Sequence, residues 1–225
     1  MPPEILRAIA EILYPCPPAV YRKETVKEKY YNEKYPKKDI YYNGRVIPTT
    51  KSNIEIDLRN FFNPNDSKVR GIVEGLGISR LSDDEKALKC LLWVIDNIKY
   101  VGDEKKGYSE FWQFAFETLY YKTGDCEDGA ILLANMMLSS GIPYWKVRLS
   151  AGKVKEGGHA YLTYYCEIED RWVVLDWSYS PSREKIRSRI DYKDDKNYLE
   201  VWFSWNERYC FSKGLNADAK ELLNK

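Results

Sequence analysis

Histidine is almost absent: the 225 residues include one, His159. A His pair for zinc is therefore excluded, and the lack of any C-x-x-C removes the thiolate alternative. Cysteine is sparse too, with five residues (Cys16, Cys90, Cys126, Cys166, Cys210) and no short spacing between them. An odd, scattered set makes no disulfide framework, so most of these thiols are expected to be reduced, buried fillers. Neither sign of charge is in excess, since 35 Lys and Arg stand against 34 Asp and Glu. No global field then draws the chain to nucleic acid or to an anionic membrane. No apolar run approaches the roughly 20 residues that span a bilayer. The first residues, Met-Pro-Pro-Glu-Ile-Leu-Arg-Ala-Ile-Ala-Glu, carry acids where a secretory leader needs a basic start. The expectation is a soluble, cytoplasmic chain with one substantial core.

What is present divides into three parts. Residues 1–80 read as an N-terminal helix and an irregular arm packed on the core, 81–212 as the core, and 213–225 as a terminal helix. Ile5, Leu6, Ile9, Ile12 and Leu13 form the helical stripe of the first. The stretch 15–50 is rich in Pro, Lys and Tyr; interleaved basic and aromatic residues can bind single-stranded nucleic acid, but a solvated arm is the simpler reading. Ser82-Asp83-Asp84-Glu85 is a capping box and predicts a helix over 83–99. Ser109 predicts the start of a second helix running to Tyr121. A third runs from Cys126 to Met137, stopped by Gly141 and Pro143. Beyond Pro143 the period changes to that of strands, at 145–149, 159–166, 172–176, 198–204 and 209–211. Helices followed by antiparallel strands make an α+β fold, here with the cysteine helix packed on an antiparallel β-sheet.

The chemistry concentrates at Cys126. Asp125 is a good N-cap, so the sulfur stands at a helix start, where unpaired amides and the dipole favour a thiolate. Gly129 and Ala130 are small enough to let a strand approach. In a hairpin turning at Glu167–Asp170, His159 and Asp176 project from the same face, roughly 7–8 Å apart along the backbones. Cys126 is then the candidate nucleophile, His159 the base and later the acid, and Asp176 the residue that orients the ring. The Cys126 N–H supplies half of an oxyanion hole, with Gln113 on the preceding helix as candidate for the other half and Trp112 as its rival. Asp125, Glu127 and Asp128 bracket the cysteine and would raise its pKa. They suit a first helical turn, and they also suit a hard cation such as calcium.

Gly124-Asp125-Cys126-Glu127-Asp128, Gly158-His159-Ala160-Tyr161 and Leu175-Asp176 together resemble the transglutaminase-like superfamily of papain-type thiol enzymes, and within it the bacterial cysteine proteinases. Trp93 through Tyr100, Phe111-Trp112-Gln113, Glu117-Thr118-Leu119 and Gly141-Ile142-Pro143 extend the resemblance over residues 82–180. It implies a papain-like core and thiol acyl chemistry on peptide or amide bonds, with Cys126, His159 and Asp176 as the triad. It also implies calcium held by Asp125 and Glu127. The strand continuation Trp177-Ser178-Tyr179-Ser180 departs from the family pattern, and the arm lies outside it.

The expected function is a cysteine hydrolase, first of all a protease, acting on a protein or peptide through a thioester. No cofactor is needed for that chemistry beyond the calcium considered above. The alternatives are acyl transfer of the transglutaminase type and a structural or interaction module that keeps the fold. The 19 tyrosines and 7 tryptophans would suit the surface such a module needs for a protein partner.

Overall fold

The computed structural model describes residues 24–46, 53–106 and 110–212; the helices expected at 4–14 and 215–225, and Ser109, lie outside them. A Thr25–Glu28 capping box opens α1 (Val26–Glu33). A hairpin follows, β1 (Tyr41–Val46) against β2 (Asn53–Asp57). Asp66 caps α2 (Ser67–Gly75), and the Ser82–Glu85 box opens α3 (Asp83–Asn97) as expected. The described residues between 24 and 75 thus include two helices and a hairpin. Then come β3 (Lys99–Tyr100), the single turn α4 (Asp103–Lys106), α5 (Ala115–Tyr121), β4 (Thr123–Gly124) and α6 (Cys126–Ser139). Gly141, at φ 91°, turns the chain out of α6.

The second half forms one antiparallel sheet from β5 (Val147–Val154), β6 (Gly157–Cys166), β7 (Arg171–Leu175), β8 (Tyr198–Trp205) and β9 (Cys210–Phe211), in the order β7-β6-β5-β8-β9. Residues 145 and 146 belong to a 3₁₀ turn, so the first strand starts two residues later than its sequence suggested. Cys166 pairs with Arg171 and Leu162 with Leu175, which leaves residues 167–170 as the expected four-residue turn.

Helix α6 explains the layering. Between Gly129 and Leu138 its only polar side chain is Asn135, and Ile131, Leu132, Leu133, Ala134, Met136 and Met137 are completely buried, which requires cover on every side. Strands β5 and β6 supply one side, and α2, α3 and α5 the others. The opposite face of the sheet carries a second core in which Tyr35, Tyr161, Tyr165, Trp172, Tyr192 and Tyr198 cluster. With both faces covered, β5 to β7 are buried nearly throughout instead of alternating. Much of the aromatic content therefore serves this second core and not an exposed surface. Arg148, on β5, is completely buried there, its guanidinium 4.0 Å from the Phe211 ring and donating to Tyr31 O. Burial lowers its pKa to about 10.

The helix expected from Ser109 starts only at Ala115. Four successive amides before it are taken by side chains: Phe111 N by Asp103, Trp112 N by Tyr42 (3.1 Å), Gln113 N by Asp128 (2.6 Å) and Phe114 N by Glu117 (2.8 Å). With those partners the segment 110–114 runs outside any helix or strand beside the start of α6. Because α6 is the shared core, Leu132→Ala should cost about 2–5 kcal/mol. Urea unfolding checks this, and an unchanged midpoint would place the core elsewhere.

Candidate active site

Two pieces of backbone fix the start of α6. Strand β4 pairs in parallel with β3, Tyr100 opposite Gly124, and Val101 N donates to Gly124 O at 2.9 Å. Asp128, the third residue of the helix, turns back so that its Oδ2 accepts from Asp125 N at 3.1 Å, the reaching-back half of a capping box. The same carboxylate accepts Gln113 N on Oδ1 and Gln113 Nε2 on Oδ2, both at 2.6 Å, and is completely buried.

The Cys126 sulfur donates to Glu127 Oε2 at 3.2 Å, and the Ala160 backbone amide is among its neighbours. Burial, then the Glu127 carboxylate, pushes the thiol well above its ordinary range, while the Ala160 N–H works the other way. The activated thiolate expected from the helix start is thus outweighed in this arrangement by desolvation and adjacent acids. Among the described residues no hydrogen bond joins the sulfur to the imidazole. The two are neighbours through Ala160, which follows His159.

His159 and Asp176 meet as the strand parity required: His159 Nε2 lies 2.7 Å from Asp176 Oδ2. Tyr198, expected only as a strand residue, donates its hydroxyl to the same oxygen at 2.8 Å. Ser178 N and Tyr179 N donate to Oδ1 at 3.0 and 3.1 Å. Burial alone would raise the Asp176 carboxyl; His159 and these donors together hold it below its usual value. The Tyr179 ring packs 5.3 Å from the imidazole. Trp177, next to Asp176, donates Nε1 to Cys126 O at 3.0 Å, and its indole fills the space above Gly129, where any Cβ would collide with it. The small residue at 129 therefore admits the tryptophan, not the histidine strand.

Of the two oxyanion candidates, Trp112 is turned away: its indole N–H goes to Glu110 Oε1 at 2.6 Å, and its ring stacks between Tyr42 and Trp205. Gln113 sits on the segment 110–114, not a helix, with its amide on Asp128. Of the three candidate cation ligands, Asp128 points to Gln113. Asp125 and Glu127 gather instead with Asp103 of α4, each offering an oxygen within 4.8 Å of the others. Burial, then Asp125 and Asp128, pushes Glu127 well above the carboxylate range, and its Oε1 is buried without a hydrogen-bond partner. Glu110 is raised by burial and by Asp125 and Asp103, against the Trp112 donor. An all-oxygen set with an unmatched buried oxygen fits a hard divalent cation.

This arrangement can be set beside known proteins. Residues 70–177 match the transglutaminase-like superfamily. The chain carries a transglutaminase-like core. A UPF0252 protein of Pyrococcus horikoshii is 33% identical over 100 residues, 44% of this chain and 29% of that protein, so the match spans less than a third of the relative's length. Calcium-bound LapG of Legionella pneumophila shares the fold at TM-score 0.53 and 17% identity, over 71% of this chain and 88% of the other. The transglutaminase-like stretch holds Cys126, His159, Asp176, Gln113 and all the clustered acids. Tyr198 lies after it, and Tyr42 before it.

The three donors on Asp128 generate a prediction. In Asp128→Asn, whichever oxygen becomes NH₂ meets an N–H that it cannot accept, and the loss should be about 1–3 kcal/mol. An unchanged urea midpoint would show that this carboxylate does not hold the site together.

Proposed function

We propose that the chain is a thiol hydrolase of peptide or amide bonds, with protein substrates and proteolysis as its activity. One observation carries the reading: His159 Nε2 lies 2.7 Å from the buried Asp176, and Ala160, the residue after His159, is a neighbour of the Cys126 sulfur. Because Nε2 faces Asp176, Nδ1 is the nitrogen left to serve the sulfur. Cys126 attacks the carbonyl carbon as His159 takes the thiol proton. The imidazolium, stabilised by Asp176, returns that proton to the leaving amine. Water, deprotonated by His159, then hydrolyses the thioester and releases the acid and the thiol. The Cys126 N–H stabilises the oxyanion. Gln113 is better placed than Trp112 for the second donor, since its Nε2 keeps one hydrogen beyond the Asp128 bond.

Asp103, Asp125 and Glu127 would hold a calcium ion, as the acids' geometry suits one and a fold neighbour is described in calcium-bound form. Such an ion would offset the carboxylate charge facing the thiol.

Two experiments test this. Peptide hydrolysis should vanish in Cys126→Ala and fall about 10²–10⁴-fold in His159→Ala. Iodoacetamide should label Cys126 near pH 6 in the calcium-supplemented protein and not in His159→Ala. Labelling only near the ordinary thiol pKa of about 8.5 would instead favour a non-catalytic module. Separately, chelation with EGTA should lower the melting temperature and slow labelling, and Asp103→Asn should blunt both effects. No change in either would remove the cation from the scheme.

A further inference from the structure

The β1–β2 hairpin lies before the matched residues 70–177, yet it grips the segment that faces the cysteine helix. Its register explains how. Tyr42 pairs with Ile56 and Arg45 with Ile54, so β1 carries one more residue than β2 between those pairs. Residues three apart on a regular strand point to opposite faces; the extra residue of a bulge restores them to one face. Both side chains are buried and both reach residues 110–117. The Tyr42 hydroxyl donates to Glu110 O and accepts from Trp112 N, each at 3.1 Å, and its ring stacks on Trp112 at 5.1 Å. Burial pushes that phenol up to about 12, so it stays a donor. Arg45 donates Nη2 to Trp112 O at 2.7 Å and forks onto Glu117, Nη1 to Oε1 at 2.9 Å. Gly44, in the bulge, has no room for a Cβ because the Tyr42 phenol folds across it.

We infer that Tyr42 and Arg45 are positioning residues of the candidate site: they hold Glu110, Trp112 and Gln113 in the non-helical form that lets Gln113 clamp Asp128 at the start of the cysteine helix. The segment cannot hold this shape alone, because its amides are bonded to side chains from four separate places. The consequence for catalysis rests on the thiol-hydrolase reading; the placement does not.

The test uses the full chain with Tyr42→Phe, which removes one hydroxyl and keeps the ring, and Gly44→Ala, which displaces that hydroxyl from outside. Hydrogen exchange in both variants should speed up about tenfold or more over 110–114 and 124–128, since both hydrogen bonds of the hydroxyl are lost, while β5 and β6 keep their protection. Cys126 labelling and kcat should fall by about the same factor with KM within twofold. As a control, Val69→Ala, a cavity in α2, should leave kcat per folded molecule unchanged. Exchange unaltered at 110–128, or raised uniformly across the sheet, would overturn the inference. Normal kcat and labelling despite faster local exchange would also overturn it. A wild-type Cys126 that reacts as an ordinary thiol would sink the hydrolase reading instead, and the exchange data would still decide the placement.

Discussion

The buried carboxylate of Asp128 is the constraint from which the rest of the site follows. It accepts three N–H groups, two from Gln113 and one from Asp125, and these are the contacts that tie a non-helical segment to the first turn of α6. A buried carboxylate without donors would be costly; with three it is a rigid joint. It fixes the direction in which the Cys126 N–H points and the side from which Gln113 approaches. It also turns Asp128 toward Gln113, so the acids that gather beside the cysteine are Asp103, Asp125 and Glu127.

The sheet contributes the other half by ending early. His159, Asp176 and Tyr198 belong to the tyrosine face, whereas Cys126 belongs to the helix face. Strand β7 stops at Leu175, two residues short of a partner for Ala160. At that open edge Ala160 neighbours the sulfur, and Trp177 folds over Gly129 to bond Cys126 O. A longer β7 would close the edge and separate the two faces. The aromatic packing behind His159 and Tyr198 then keeps the imidazole and its carboxylate from rotating, at little entropic cost because each ring has few rotamers.

How much of this could be read from the sequence depends on the range of each signal. The helix start at Cys126 and the meeting of His159 with Asp176 were legible because helix starts and strand parity are local patterns, and the turn at 167–170 set the register. The capping box at Ser82 and the stop at Gly141 were legible for the same reason. Gln113 was misplaced on a helix because nothing local reveals that Asp103, Tyr42 and Asp128 would take three consecutive amides before the cap at Phe114. Asp103 is well separated in sequence from the other acids, and its one-turn helix carries no signature of the cluster it joins. Tyr198 was read only as part of a weak strand. One signal was available and unused: Asn43-Gly44 inside an otherwise strand-like run marks a bulge.

That bulge bears on how a site of this kind is built. The matched stretch contains the reactive groups, but a non-helical segment whose amides bond outward has no internal rule for its own shape. Some other part of the chain must supply the missing half of its hydrogen bonds. A flat hairpin would present Tyr42 and Arg45 on opposite faces and could use only one of them. The inserted residue turns both inward, and the absent side chain at Gly44 leaves room for the phenol to lie across the strand. Placement at the cysteine is therefore set partly by hydrogen bonds from β1, a strand outside the matched stretch, and not by the transglutaminase-like core alone.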